Sequence, residues 1–449
     1  MSTLPLFVQR CLVFGLALVL SSDQEPACAW QAGPVIEDPS DQGSGLPLAE
    51  PITNERLFPD GVPQALSPEQ VQEPIRRALD YLVIRQNPTG SWGSRAPEST
   101  LELGFALETY YSWQLASQGL CCMALASAPE TPEIRAALDK AIDFLCTAPM
   151  SRRASDWDVD YVWTAVYGLV ACVELLGDSR YARGERGAAL AERGKEFLAV
   201  LGSNQALSGG WAYYDNPPYD RVPTWATSFT TAAVLPALIK ARDQRGWLLP
   251  PRMLERAIKY IQRCALPNGA YSYSLTPTPR ITGVESINLM QGSLGRTQVC
   301  NWALAKAGDK RITAEVIRTG LEALFREHGF LDHARTRPIP HEGFHANAGY
   351  FYFFAHYYAA EAIELLPLEE REQWHAKLRP HMVKTQWRNG GMSDFLDTPY
   401  LVNASTSFTL LALAKGLALA KGSDKHPLSG QAGQEGQDAV DPADGASDR

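Results

Sequence analysis

Gln86-Asn87-Pro88-Thr89-Gly90-Ser91-Trp92 and Gln205-Ala206-Leu207-Ser208-Gly209-Gly210-Trp211 spell one pattern twice, with Gly four and Trp six residues after Gln. Gln386-Trp387-Arg388-Asn389-Gly390-Gly391-Met392 is a third copy with Met392 in the Trp position. Weaker echoes begin near Cys146, Cys264 (CALPNGAY) and Phe325 (FREHGF), so that successive starts lie 60, 59, 59, 61 and 61 residues apart. Self-similarity at one fixed period is the signature of a repeat architecture, in which no unit can bury its apolar face alone.

Each copy follows an amphipathic segment and precedes a more apolar one. Before Gln86, the residues Ile75, Ala78, Leu79 and Leu82 recur at helical spacing with charge between them. The spacing predicts outer helices over 68–85, 132–144, 185–201, 251–264, 314–326 and 369–386. It predicts inner helices over 103–128, 162–176, 227–241, 287–307, 348–366 and 405–420. A helix apolar on most faces is covered on most faces, whereas one with a charged side meets water. Two concentric shells follow, and glycine between them supplies the left-handed residue that ends a helix. The expected fold is all-α: an (α/α)6 toroid of six helix-pair repeats in a single domain over residues 67–421. An open superhelix is the alternative, because stacked repeats need only their neighbours.

The Gln-to-Trp spacing after an aliphatic helix resembles the QW repeat of squalene and hopene cyclases, across residues 68–421. The resemblance implies a toroid of the terpenoid-cyclase and protein-prenyltransferase kind; it does not by itself imply cyclisation. Those cyclases protonate a polyene with a DxDDTA motif. The matching run here is Asp156-Trp157-Asp158-Val159-Asp160-Tyr161, where Asp158 and Asp160 align with the first two acids. Tyr161 replaces the third, and Thr164-Ala165 come two residues late. Such a motif needs one carboxyl kept protonated by an apolar cavity and a neighbouring acid. The competing reading is that Asp156, Asp158 and Asp160 decorate a helix N-terminus, where negative charge is favourable. The chain has length for one toroid, whereas squalene cyclases have two. The prenyltransferase zinc pattern also fails, since Gln298 stands two before Cys300 where an acid is required. No GCGEQ thioester motif is present.

Aromatic residues crowd the segments that lead into the inner helices, among them Tyr111, Trp157, Tyr161, Tyr214, Trp225 and Tyr352, with His356 just beyond. These seven are the expected ligand-binding residues, lining one mouth of a central cavity. Such a cup suits carbocations by cation–π attraction and sugar rings by stacking; packing alone also employs aromatics. The expected partner is a hydrophobic or isoprenoid small molecule. The alternatives are a non-catalytic toroid that binds a protein or envelope component, and a carbohydrate-active lyase or hydrolase, which would need two carboxyls across the scissile bond. His341-Glu342-Gly343-Phe344-His345 spells HExxH, but the flanking prolines and internal glycine disfavour the helix that a zinc protease needs. No cofactor is expected, and no metal except by that weak alternative.

Hydrophobic residues make up 45% of the chain, enough for a large core, and the net charge is −9 without any basic run. That balance argues against a nucleic-acid partner. Arg10, the apolar run 11–20 and Ala27-Cys28-Ala29 read as an export signal over 1–29, too short to span a bilayer. Residues 30–66 read as a disordered Pro/Gly-rich linker and 422–449 as a disordered tail. The protein is therefore expected to be exported, with no membrane span after signal removal. Cys121, Cys122, Cys146, Cys172, Cys264 and Cys300 fall in apolar helical stretches and read as core residues rather than a disulfide framework.

Overall fold

The computed structural model describes residues 64–98, 105–153, 155, 158–213, 223–275, 285–337, 345, 348–395 and 399–420. The segments read from the sequence as signal and tail, with most of the expected linker, lie outside the described residues. Within them the chain is all-helical, and the β pairing is confined to two isolated bridges.

The outer helices are α1 (Gln72–Ile84), α3 (Pro132–Thr147), α5 (Gly184–Asn204), α7 (Met253–Cys264), α9 (Ala314–Arg326) and α12 (Leu368–Val383). The inner helices are α2 (Leu107–Ser127), α4 (Tyr161–Gly177), α6 (Ser228–Asp243), α8 (Leu294–Lys306), α11 (Tyr352–Ile363) and α13 (Pro399–Ala420). A short helix, α10 (His328–Arg335), separates α9 from α11. Each inner helix packs on the next, and α13 returns to α2, so the inner shell closes on itself. The outer helices α3, α5, α7, α9 and α12 each pack on the inner helix that precedes them, and α1 completes the pattern on α13. This is an α/α toroid.

Sequence accounts for the shells. Every residue of α2 from Thr109 to Leu125 is buried, whereas α7 buries Met253, Ala257, Tyr260, Ile261 and Cys264, the one-sided spacing of a surface helix. The six cysteines of the folded region are unpaired, and all but the half-buried Cys146 are buried. No helix among the described residues is long and apolar enough to cross a membrane.

The repeated motif does one mechanical job in its two full copies and in the partial third. Gln86 Nε2 donates to Gly90 O (3.2 Å) and to Ala137 O on α3 (2.7 Å). Gln205 does the same to Gly209 O (2.7 Å) and Met253 O on α7 (3.0 Å). Gln386 donates to Gly390 O (3.0 Å) and Pro74 O on α1 (2.8 Å), which joins the last outer helix to the first. The glycine permits the approach: at Gly209 (φ +105°) a Cβ would lie 2.5 Å from Arg256 O. Trp92 Nε1 donates to Leu82 O (2.7 Å) and Trp211 Nε1 to Leu201 O (2.8 Å), and both rings are fully buried. Met392 fills the corresponding site and is equally buried. The echo at Cys264 folds into the same turn, with Leu266 N donating to Ala270 O (2.9 Å) and Tyr271 in the Trp position.

Several features differ from the sequence reading: α2 begins at Leu107 instead of 103, and α13 at Pro399 instead of 405. The inner helices α8 and α11 begin later than expected, because 3-10 turns at Gln291–Ser293 and Ala348–Phe351 occupy their lead-ins. At the Phe325 echo the expected turn is replaced by α10.

Candidate functional site at the N-terminal mouth of the ring

At four junctions the lead-in to an inner helix is tied to the start of the previous one. Val159 N donates to Thr109 Oγ1 (3.0 Å), Val162 N to Tyr213 O (3.1 Å) and Ser228 N to Tyr273 O (3.1 Å). Phe353 N donates to Asp394 Oδ1 (2.9 Å). These ties gather the N-termini of the inner helices at one mouth.

Inside the mouth, aromatic rings meet. Trp163 of α4 contacts Phe229 of α6 (6.0 Å between centroids) and Phe354 of α11 (6.5 Å). Helices α4 and α11 stand on opposite sides of the ring, so this contact crosses its centre. Phe229 also meets Tyr213, Tyr273 and Phe351, and Tyr213 meets Trp225 at 5.4 Å. One turn deeper, Tyr167 of α4 meets Phe408 of α13 (5.6 Å), which in turn meets Phe354 and Tyr357. At the far end of the inner helices the lining becomes ionic: Lys240 pairs with Glu174, and Lys415 with Glu361 at 2.8 Å. Lys306 lies close enough to feel all four, and burial lowers its pKa.

Of the candidate acids, Asp160 has the most distinctive environment. It is the residue immediately before α4 and takes the left-handed conformation (φ 65°), which Asp tolerates better than most residues. That kink lets the helix begin at Tyr161 while the carboxylate turns aside instead of capping it. Asp160 Oδ2 accepts from Trp113 Nε1 (2.8 Å), and the Trp113 ring stacks on Tyr400 with centroids 3.8 Å apart. Burial outweighs that one hydrogen bond and pushes the Asp160 pKa up to about 6. Asp158 behaves differently. It is buried and closes a local turn, its Oδ2 accepting from Ser155 N (2.6 Å) and Ser155 Oγ (3.0 Å), while Oδ1 has no hydrogen-bond partner. Asp394 is also buried, and burial pushes its pKa up to about 7 against the pull of the Phe353 N–H and Arg335.

The expected ligand-binding residues divide. Trp225 joins the aromatic cluster through Tyr213. Tyr111, Tyr161, Tyr352 and His356 have hydrogen-bond partners in the wall of the ring. Tyr111 OH donates to Pro149 O (2.6 Å) and its ring lies under Arg95; Tyr161 OH is held by Asn204 on α5. Tyr352 OH donates to His381 O (2.7 Å), and His356 faces His328, so both turn toward α10 and α12. Each of the three tyrosine hydroxyls has a partner in the wall, as a buried phenol must. Asp156, Trp157, Tyr214 and His341 lie outside the described residues. His345 packs on Phe330 (4.9 Å) and lies parallel to His333 (6.2 Å).

The sequence reading missed Phe229, Phe354 and Phe408, because it weighed the polar aromatics of the lead-ins above phenylalanines within the inner helices. It also missed the ionic tier, whose signal is a single charge near the end of an otherwise apolar helix.

No protein-family model matches the chain, and no curated protein matches it. Among solved structures, it is similar to the Lin0763 protein of Listeria innocua, with 13% identity over 79% of this chain and 99% of that one and a TM-score of 0.52. It is also similar to the type II terpene cyclase MstE from Scytonema (14% identity, 79% and 100% covered, TM-score 0.46). Cellobiose 2-epimerase from Spirochaeta thermophila is a third (15% identity, 78% and 99% covered, TM-score 0.45). At such identities the first likeness speaks to fold alone, and the other two are too distant to bear on activity. What the chain shares with known proteins is its α/α toroid.

Proposed function

We propose that this is an exported toroid that takes a hydrophobic or isoprenoid small molecule at the N-terminal mouth of its inner ring, with Asp160 as proton donor. One observation carries the reading: a carboxyl with a raised pKa, aimed aside by a left-handed residue and held by an indole. A carboxylic acid that titrates near 6 is well matched to donating a proton near neutral pH. Trp113, Tyr400 and Trp163 offer π-faces that stabilise a developing cation and repel little else. Asp158 does not share the acid's role in this reading; its carboxylate holds the lead-in that presents Asp160.

A second reading is a binding protein without turnover. It is favoured by the Trp163–Phe354 contact, which closes the centre of the ring at that level and leaves a ligand only the mouth.

Mass spectrometry of small molecules that co-purify from the native compartment tests both. An apolar polyprene is the expected finding, and incubation with it should then yield a rearranged product that the Asp160→Asn variant fails to make while still binding. Binding without any product establishes the second reading. A water-soluble glycan in the mouth overturns both.

A further inference from the structure

Helix α10 interrupts the repeat, and it brings His328 against His356 of α11 and His381 of α12. We infer that these three histidines form a structural site for a divalent transition-metal ion of the Zn2+ type, which fastens α10 to the ring. All three are buried, and each offers a ring nitrogen within 4.8 Å of the others'.

The hydrogen bonds decide which nitrogens are available. His328 Nδ1 lies 2.9 Å from Asp332 Oδ2, which also accepts from Lys384 Nζ at 2.8 Å. That carboxylate is an acceptor, so His328 Nδ1 carries the proton. His356 Nδ1 lies 2.6 Å from the carbonyl oxygen of Tyr352, which can only accept, so His356 Nδ1 carries the proton as well. The remaining nitrogens, His328 Nε2 and His356 Nε2, then face each other as bare lone pairs 2.9 Å apart. Two acceptors at that distance repel unless a cation binds both lone pairs, a proton on the line between them or a metal ion to one side of it. His381 Nδ1 is also buried without a hydrogen-bond partner, and the His381 ring lies 3.6 Å from that of His328, closer than aromatic pairs usually sit.

The competing cation is a single proton shared by the pair. It would join two of the three rings and leave the buried His381 Nδ1 without a partner. A metal ion suits the arrangement better. The Asp332–His328 and Tyr352 carbonyl–His356 contacts are the outer-shell partners that fix the tautomer and raise the basicity of a metal-bound imidazole. Three imidazoles favour zinc and its neighbours over magnesium or calcium, which take oxygen ligands. Enclosure makes the role structural. Sequence spacing does not reveal it, because 28 and 25 residues separate the three histidines.

The test uses the untagged full chain, purified without chelator and assayed by elemental analysis. About one equivalent of zinc per chain is expected, as for a closed structural site. Stripping with a strong chelator should lower the Tm by several degrees, and added ZnCl2 should restore it. Replacing zinc by Co2+ should give the visible absorption of a low-coordinate nitrogen site, and His381→Gln should abolish that absorption. The wild-type strip-and-restore measurement stands even where the variant fails to fold. Less than a tenth of an equivalent of any transition metal, with no cobalt spectrum and no change in Tm on adding ZnCl2, overturns the inference and leaves the shared proton. None of these readouts depends on Asp160.

Discussion

The turn at Gly209 and the junction at His328 occupy comparable places in the repeat, between an outer helix and the next inner one, and they are built on opposite principles. At the turn, backbone meets backbone: glycine removes a side chain, Gln205 bridges two carbonyls, and Trp211 seals the gap. At the junction, side chains do the joining: α10 fills the space with His328, Asp332 and Arg335, all buried, held by His356 of α11, by Lys384 just after α12 and by the Ser393 carbonyl in the lead-in to α13. The first arrangement satisfies polar groups cheaply with backbone partners. The second buries ionisable groups, which is costly unless each is paired. Departure from a regular repeat is where a chain places chemistry that the repeat does not need.

Measurements that strain this contrast come in descending size. Trp92→Ala and Trp211→Ala should each lower stability by about 3–5 kcal/mol in denaturant unfolding, the range for large aromatic truncations in a core. A loss under about 1 kcal/mol, typical of surface changes, would show that the turns are decoration. At the junction, Lys384→Met should cost about 3 kcal/mol at pH 7, because the buried Asp332 carboxylate then loses its cation and keeps only the neutral His328 imidazole as a hydrogen-bond donor. A neutral result there would mean that the junction is no more demanding than the turns.

Glycine substitutions separate conformation from contact. At Gly246 (φ +67°) an added methyl would meet nothing within 4 Å, so Gly246→Ala should cost about 1 kcal/mol, the left-handed penalty alone. Gly209→Ala adds the clash with Arg256 O and should cost about 2 kcal/mol more than that, since overpacking carries its own penalty. Equal losses would refute the backbone-approach account of the motif.

The smallest effect concerns the mouth. Asp160 has a folded pKa of about 6 against an ordinary 3.8, so the folded state holds its proton more tightly than the unfolded state does. Protonation therefore stabilises the fold fully below about pH 4, and that contribution disappears as pH rises through about 6. Asp160→Asn should flatten this slope and leave the variant more stable than the parent at pH 8 by about 1–2 kcal/mol. An unchanged slope would assign the acid an ordinary, solvated pKa.

Much of the shell structure is legible in the sequence because helical periodicity and the Gln–Gly–Trp turn are local signals. Helix α9 spans the expected 314–326, and α4 differs from expectation by one residue at each end. The site is less legible. Asp160 can be picked out by its place before an apolar helix, but its left-handed backbone and its partner Trp113, 47 residues earlier, are tertiary facts. Tyr111, Tyr161 and Tyr352 escape sequence reasoning for a related reason: sequence shows an aromatic residue near a helix start but not which side of the helix it faces. The histidine cluster needs three elements brought together, and nothing in its spacing announces that.

The hydrogen bond from Gln386 to Pro74 spans 312 residues. Arg77 on the same helix holds the carbonyls of Trp387 and Arg388 in return. During synthesis α1 leaves the ribosome long before the segment that completes its packing. Until then its apolar face has α3 beside it but lacks α13. Ring closure is thus the last event available to the chain, and its entropic cost falls due only when nearly everything else has folded. A permuted gene opened between α5 and α6 would make the same contacts in a different temporal order, with the α12–α1 seam formed partway through synthesis and another left for the end.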